Sequence, residues 1–193
     1  MKTGYFEYRD PNHPKTLYLK GKKSLKNNLL FMAAYPFLKP VLYNKAEMMS
    51  RQLGYDGWLT AFIYPSDLMI ADYFYDQPIA AYAQKNTGIL RRLLDNPDYP
   101  IDTVVCCWGN AISDFVTSKC LEHQLYRILD ILIHRDPPLR TVALDYINDT
   151  RIPVGIDKIR LNKPLVLKDY DAKTERKKIR LKYNLPPDIS YRM

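Results

Sequence analysis

Four short apolar runs constrain this chain more than any other feature. They are LLFMAA (Leu29–Ala34), GWLTAFIY (Gly57–Tyr64), TVVCCWG (Thr103–Gly109) and RTVALDYI (Arg140–Ile147). Each is largely continuous in apolar character rather than alternating, as strands buried on both faces are. Pro36 and Pro40 close the first run and Pro65 the second, because proline cannot donate to a strand ladder. Helical patterns lie between the runs. Ala46, Met49 and Leu53 sit at helical spacing over Tyr43–Leu53, with Asn44 as candidate N-cap and Gly54 as candidate C-cap. Ile79–Asp95 reads as a helix that places Ile79, Ala83, Asn86, Leu90, Leu93 and Leu94 near one face. Ala111–Arg135 reads as helical in two pieces broken near Ser118–Lys119, with Leu121, Leu125, Ile128, Leu129 and Leu132 on one stripe.

Strands alternating with helices in this way predict an α/β fold: three α/β/α layers around a central, mainly parallel sheet of four strands. TLYLKG (Thr16–Gly21) reads as an early strand packed beside that core, after the turn-rich DPNHP. Residues 66–78 read as an aromatic loop, and residues 151–171 as loop with short extended pieces. A basic helix over Ala172–Tyr183 follows. At 193 residues the chain suits one domain with a sizeable core. In parallel sheets of this kind ligands bind beyond the carboxyl ends of the strands. Here those ends are Ala34–Phe37, Tyr64–Asp67, Trp108–Asn110 and Asp145–Asn148.

The formal net charge of +8 is uneven. Residues 1–28 carry +5, residues 29–157 carry −4 and residues 158–193 carry +7. The basic character therefore sits in an N-terminal extension (1–28) and in a C-terminal helix and tail (171–193). Arg176, Lys177, Lys178, Arg180 and Lys182 are the candidate phosphate contacts; the other reading of the same run is a solvated terminal helix. No apolar run is long enough to cross a bilayer, and MKTGYFEYRDPNHPK has no apolar signal-peptide core. With three cysteines, too few and too odd for a disulfide scaffold, a cytoplasmic location is expected.

Cys106 and Cys107 are neighbours on a predicted strand, so their side chains point to opposite faces and cannot share one ion. No CxxC is present, and His13, His123 and His134 are scattered. The expectation is packing cysteines, no metal and no cofactor.

A family likeness runs through the same pieces. TLYLKG, the block GYDGWLTAFIYPSD (Gly54–Asp67), the helix segment KNTGILRRLL (Lys85–Leu94) and VVCCWGN come in characteristic order and spacing. Over about Phe6 to Tyr170 the chain resembles the uncharacterised bacterial and phage family catalogued as domain of unknown function 1643. That family in turn resembles the uracil-DNA glycosylase superfamily in layout. The resemblance implies a glycosylase-like fold, with Trp108-Gly109 at the strand end where that superfamily carries Trp-Gly. Three other positions depart from its pattern. Tyr35 stands before Pro36 where a polar Asn is expected, Phe62 stands near where an Asn is common, and Lys163 precedes Pro164 where a His is expected.

These departures bear on chemistry, because base excision needs a group to activate water and a donor to stabilise the leaving base. Asp67 is the carboxylate best placed by sequence for the first role and Lys163 the cation for the second. Tyr35, Pro36, Phe37 and Phe62 offer stacking surface or plug the pocket mouth; Trp108, Gly109 and Asn110 line it. The expected function is binding of nucleic acid or nucleotide on a glycosylase-like scaffold, with the excision residues replaced. The alternatives are a protein-interaction module on the same scaffold, an active base-excision glycosylase, or a small-molecule enzyme in the same crevice.

Overall fold

A computed structural model of the chain describes residues 4–12, 16–36, 39–65, 78–112, 118–135 and 139–186. The elements run β1 (Tyr5–Arg9), β2 (Leu17–Lys22), β3 (Asn28–Ala33), α1 (Val41–Gln52), β4 (Gly57–Phe62), α2 (Pro78–Leu94) and β5 (Ile101–Cys106). There follow α3 (Ser118–His134), β6 (Arg140–Ala143), β7 (Tyr146–Ile147), β8 (Ile152–Pro153), β9 (Lys168–Asp169) and α4 (Ala172–Tyr183).

The central sheet has the order β1-β2-β4-β3-β5-β6-β9. Its four middle strands, β4, β3, β5 and β6, are parallel to one another, and they are the four apolar runs of the sequence. The sheet is larger than the four strands expected. β1 and β2 extend one edge and β9 the other, all in antiparallel pairings. β1 and β9 had no sequence signal: β1 (YFEYR) is mostly exposed and β9 is two residues long. Much of the basic N-terminal stretch is thus built into the sheet as β1 and β2.

Side-chain alternation along the strands separates two cores. Leu30, Met32, Leu59, Ala61, Val104 and Cys106 join α2, α3 and α4 on one face. Leu29, Phe31, Ala33, Phe62, Val105 and Cys107 join α1 and the segment around Ile156 and Ile159 on the other. All twelve of these strand residues are buried, so the sheet forms the middle of three layers. The stripe of α3 holds, with Leu121, Leu125, Ile128, Leu129 and Leu132 buried, and so does the described part of the α2 stripe, Asn86, Leu90, Leu93 and Leu94; the side chains of Ile79 and Ala83 lie outside the described residues. Buried Asn86 is satisfied by donating to the Phe62 carbonyl at 2.7 Å, which ties α2 to the end of β4.

Three boundaries differ from the sequence reading. α1 begins at Val41 with Pro40 as N-cap (φ −53°), not at Asn44, because the proline ring presets a helical φ. At the other end Gly54 adopts φ +86° as expected of a C-cap glycine. α3 is described from Ser118, the position of the expected break; before it Gly109–Ile112 forms a 3-10 turn rather than the start of a helix at Ala111, and residues 113–117 lie outside the described residues. The run RTVALDYI does not stay in one strand. It leaves the sheet after Ala143, and Tyr146–Ile147 pairs with Ile152–Pro153 in a separate hairpin.

Candidate functional site

The strand order decides where a site can form. From β3 the chain crosses by α1 to β4 on one side, then returns over β3 by α2 to β5 on the other. At the carboxyl ends of β3 and β5 the connections therefore part toward opposite faces, and ligands of open α/β sheets sit at such a switch point. A crevice of about 1080 Å³ opens there. Its floor is Ala33–Pro36 from the end of β3 and Cys107–Ala111 from the end of β5. The start of α1, the β7–β8 hairpin and the turn Val154–Lys158 form its walls.

Gly109 is the pivot of the floor. It has φ +63°, and a Cβ there would lie 3.4 Å from the Gly155 backbone. A left-handed conformation and a close backbone approach both call for glycine. Trp108 is buried and packs edge-on against Tyr170 with ring centroids 5.3 Å apart. Asn110 lies exposed at the rim. Tyr35 is half-buried against the α2–α3 core, with Pro36 beside it in the crevice.

The hairpin wall brings Tyr146 and Asn148. Tyr146 donates its hydroxyl to the Asp169 carbonyl at 2.5 Å, and burial raises its pKa. Asn148 (φ 45°) and Arg151 (φ 57°) are both left-handed, a conformation that costs non-glycine residues free energy and is concentrated at functional loops. Asp145, just before the hairpin, is committed to structure. It accepts from the Tyr146 amide at 2.9 Å and pairs with Lys168 at 2.6 Å. Lys168 and that amide hold its carboxyl below the usual range.

The α1 wall is cationic. Lys39 precedes the helix and lies exposed at the crevice. Lys158 is exposed on the facing turn, with its ammonium 3.6 Å from the Asp157 carboxylate. Lys45 donates to the Asp157 carbonyl at 3.1 Å and pins that turn to α1; its partial burial lowers its pKa.

The predicted site residues divide sharply by position. Tyr35, Pro36, Trp108, Gly109 and Asn110 meet in the crevice. Phe62 does not line it: it is buried (1 % exposed) in the core on the α1 face. Lys163 lies away from it, because its carbonyl receives the Gln52 amide at 3.5 Å from the far end of α1, toward the amino ends of the parallel strands. Phe37 and Asp67, and the aromatic loop 66–77, lie outside the described residues.

Cys106 faces the α2–α3 core and Cys107 the α1 core. Burial drives both thiols well above their usual pKa, so neither supplies a thiolate near neutral pH. Cys107 donates to the Met32 carbonyl at 3.3 Å.

The basic helix is largely engaged with its own protein. Arg176 is almost buried, 2.5 Å from Asp130 of α3 and over the Tyr126 ring. Lys182 pairs with Glu122 at 2.7 Å, and Tyr183 donates to the same carboxylate. Lys178 contacts Glu175 at 3.4 Å. Lys177 is exposed and Arg180 half-buried.

The residues that sequence reasoning missed are Lys39, Tyr146, Asn148, Gly155 and Lys158. The ends Asp145–Asn148 were marked as a strand terminus; nothing in VGIDK has a period that would place it across from Gly109. No family model, curated protein or solved structure matches the chain. Among the described residues, no helix is long and apolar enough to cross a membrane.

Proposed function

We propose that the crevice binds a nucleobase-containing ligand, a nucleotide or a stretch of nucleic acid, and that it does so without excising the base. The observation that carries this reading is the composition of the crevice at the switch point. Aromatic surface from Tyr35, Trp108 and Tyr146, the amides Asn110 and Asn148, and the ammonium groups of Lys39 and Lys158 all line it. Aromatic faces stack bases, amides read their hydrogen-bonding edges, and ammonium groups meet phosphate. The reading also draws on the resemblance of VVCCWGN to the Trp-Gly strand end of a glycosylase-like layout. The part of the reading that leaves excision out rests on Tyr35, Phe62 and Lys163 standing where that layout carries other polar residues, with Phe62 buried in the core and Lys163 beside Gln52 at the far end of α1.

The test is calorimetric titration with nucleosides, nucleoside monophosphates and short single-stranded oligonucleotides, paired with an assay for free base. Saturable binding that Asn110→Ala and Tyr146→Ala weaken about tenfold or more, with no base released, is the expected result. Release of free base identifies an active glycosylase instead. Absence of affinity for every one of these probes favours the protein-interaction reading.

A further inference from the structure

The two walls of the crevice differ in chemistry, and the difference narrows what it holds. On the α2–α3 side the lining is aromatic, Tyr35, Trp108 and Tyr146, and the amides Asn110 and Asn148 also line the crevice. On the α1 side it is aliphatic with charge at the rim: Leu42, Val154 and Ile156 below, Lys39 and Lys158 above. The ligand that matches such a site has a flat polar ring at one end and an anion at the other.

The local charge is small. Lys39 and Lys158 line the crevice and Lys45 is bonded to the backbone of the same turn. Among the described residues that line the crevice the one carboxylate is Asp157, 3.6 Å from the Lys158 ammonium. Three ammonium groups and one carboxylate leave a formal surplus of two positive charges, and a phosphate monoester carries about −1.5 to −2.

An internal segment of a strand would present a phosphate on each side of the bound base and needs cations leading away from the site. Several cations of the two basic ends are held by acids of this chain, away from the crevice. Lys20 contacts Glu7, and Lys22 lies 3.9 Å from Glu47, on a strand separated from β3 by β4. Arg176 and Lys182 are held by Asp130 and Glu122 on the outer surface of α3.

Resting on the nucleobase-binding reading above, the geometry points to a free nucleoside monophosphate as the occupant. The base lies against Tyr35, Trp108 and Tyr146, and the phosphate lies at Lys39 and Lys158. A volume of about 1080 Å³ is at the upper end for a small-ligand site, which leaves room for water bridging the ligand to Asn110 and Asn148.

The experiment is a titration of the full chain with AMP, GMP, CMP and UMP, the four parent nucleosides, inorganic phosphate, and a single-stranded 12-mer of mixed sequence. At least one monophosphate should bind about tenfold or more tighter than its nucleoside, as charge-assisted phosphate contacts require. It should also bind tighter than the 12-mer. The double variant Lys39→Ala/Lys158→Ala should bring that monophosphate to within about threefold of the nucleoside while leaving nucleoside affinity unchanged. Both lysines are exposed, so the fold should tolerate their loss, and an unaltered urea midpoint confirms it. Equal affinity for nucleoside and monophosphate overturns the phosphate assignment and leaves the base-binding reading standing. Tighter binding of the 12-mer overturns it in favour of a nucleic-acid site. No binding by any base-containing probe overturns both readings.

Discussion

The crevice above β3 and β5 and the face where α4 lies on α3 both combine cations with tyrosines, yet they use them in opposite ways. On the α3–α4 face the charges are turned inward. Arg176 is sandwiched between Asp130 and the Tyr126 ring, Lys182 and Tyr183 share Glu122, and the Tyr126 hydroxyl donates to the Pro186 carbonyl at 2.5 Å. At the crevice the charges are turned outward: Lys39 and Lys158 are exposed and border open volume. A run of basic residues in the sequence is therefore a poor guide to where an anion binds. What matters is whether acids of a neighbouring element already occupy the cations, and for Arg176 and Lys182 of α4 those acids come from α3, 46 and 60 residues away.

The largest effect that would sharpen this contrast is on stability. Arg176→Ala leaves Asp130 (7 % exposed) with only the His134 imidazole at 3.1 Å in place of its guanidinium partner, and the loss of that buried pairing should cost about 2–3 kcal/mol. Urea unfolding should register that loss while monophosphate affinity, measured where the variant is still folded, stays within about twofold. A loss of affinity without loss of stability would break the contrast by making Arg176 a ligand contact.

Gly109→Ala should come next. Forcing a Cβ at φ +63° costs about 1–2 kcal/mol, and the added methyl comes into contact with Gly155 at 3.4 Å in the crevice floor. Here both readouts should move: a lower unfolding midpoint and weaker ligand binding.

A smaller effect belongs to the other polar knot at the carboxyl end of β4. Asp10 is within 2.6 Å of the Lys85 ammonium and accepts from Tyr18 at 3.1 Å, and Lys85 chiefly holds its carboxyl down at about 2. A depressed folded-state pKa contributes stability that is complete above the unfolded carboxylate's value near 4 and is lost as the pH falls toward about 2. With Lys85 half in solvent the contribution is about 1 kcal/mol. Wild type and Asp10→Asn should therefore converge in stability as the pH is lowered from 5 to 2. A constant gap across that range would show that the carboxylate's charge is not what stabilises this corner.

The smallest effect is expected for Lys182→Ala. Its ammonium is about half exposed, at 2.7 Å from Glu122, so the loss should be about 0.5 kcal/mol. The same substitution should leave nucleotide binding unaltered, unlike the lysines of the crevice.

The middle of the fold was legible because its signal is local. LLFMAA, GWLTAFIY and TVVCCWG are apolar throughout, and strands buried on both faces have to be. The helix Ala172–Tyr183 agrees at both ends, with Asp171 accepting from the Thr174 amide as its N-cap. The edges were not legible. β1 is mostly exposed and β9 pairs at only two residues, so neither has a pattern of its own; each is a strand because a neighbour offers a ladder. RTVALDYI shows the same limit from the other side. Its apolar pattern continues past Ala143, but Asp145 caps the next amide and turns the chain out of the sheet. Half the site follows the local rule as well. Trp108, Gly109 and Asn110 were recognisable as a strand end, while Gly155 and Lys158 reach the crevice only by tertiary packing, through Lys45 and the Gly109 backbone.

The two tryptophans allow a direct measurement of where the ligand sits. Trp108 lines the crevice, whereas Trp58 is buried on the α1 face beside Tyr5 and Tyr43. Trp58→Phe makes Trp108 the single tryptophan reporter, and the variant should be titrated with the nucleoside monophosphate that calorimetry shows to bind best. A saturable change in Trp108 fluorescence, with a midpoint equal to the calorimetric Kd, is the predicted result. Calorimetric binding with no response from Trp108 would place the ligand elsewhere and contradict the assignment of the crevice.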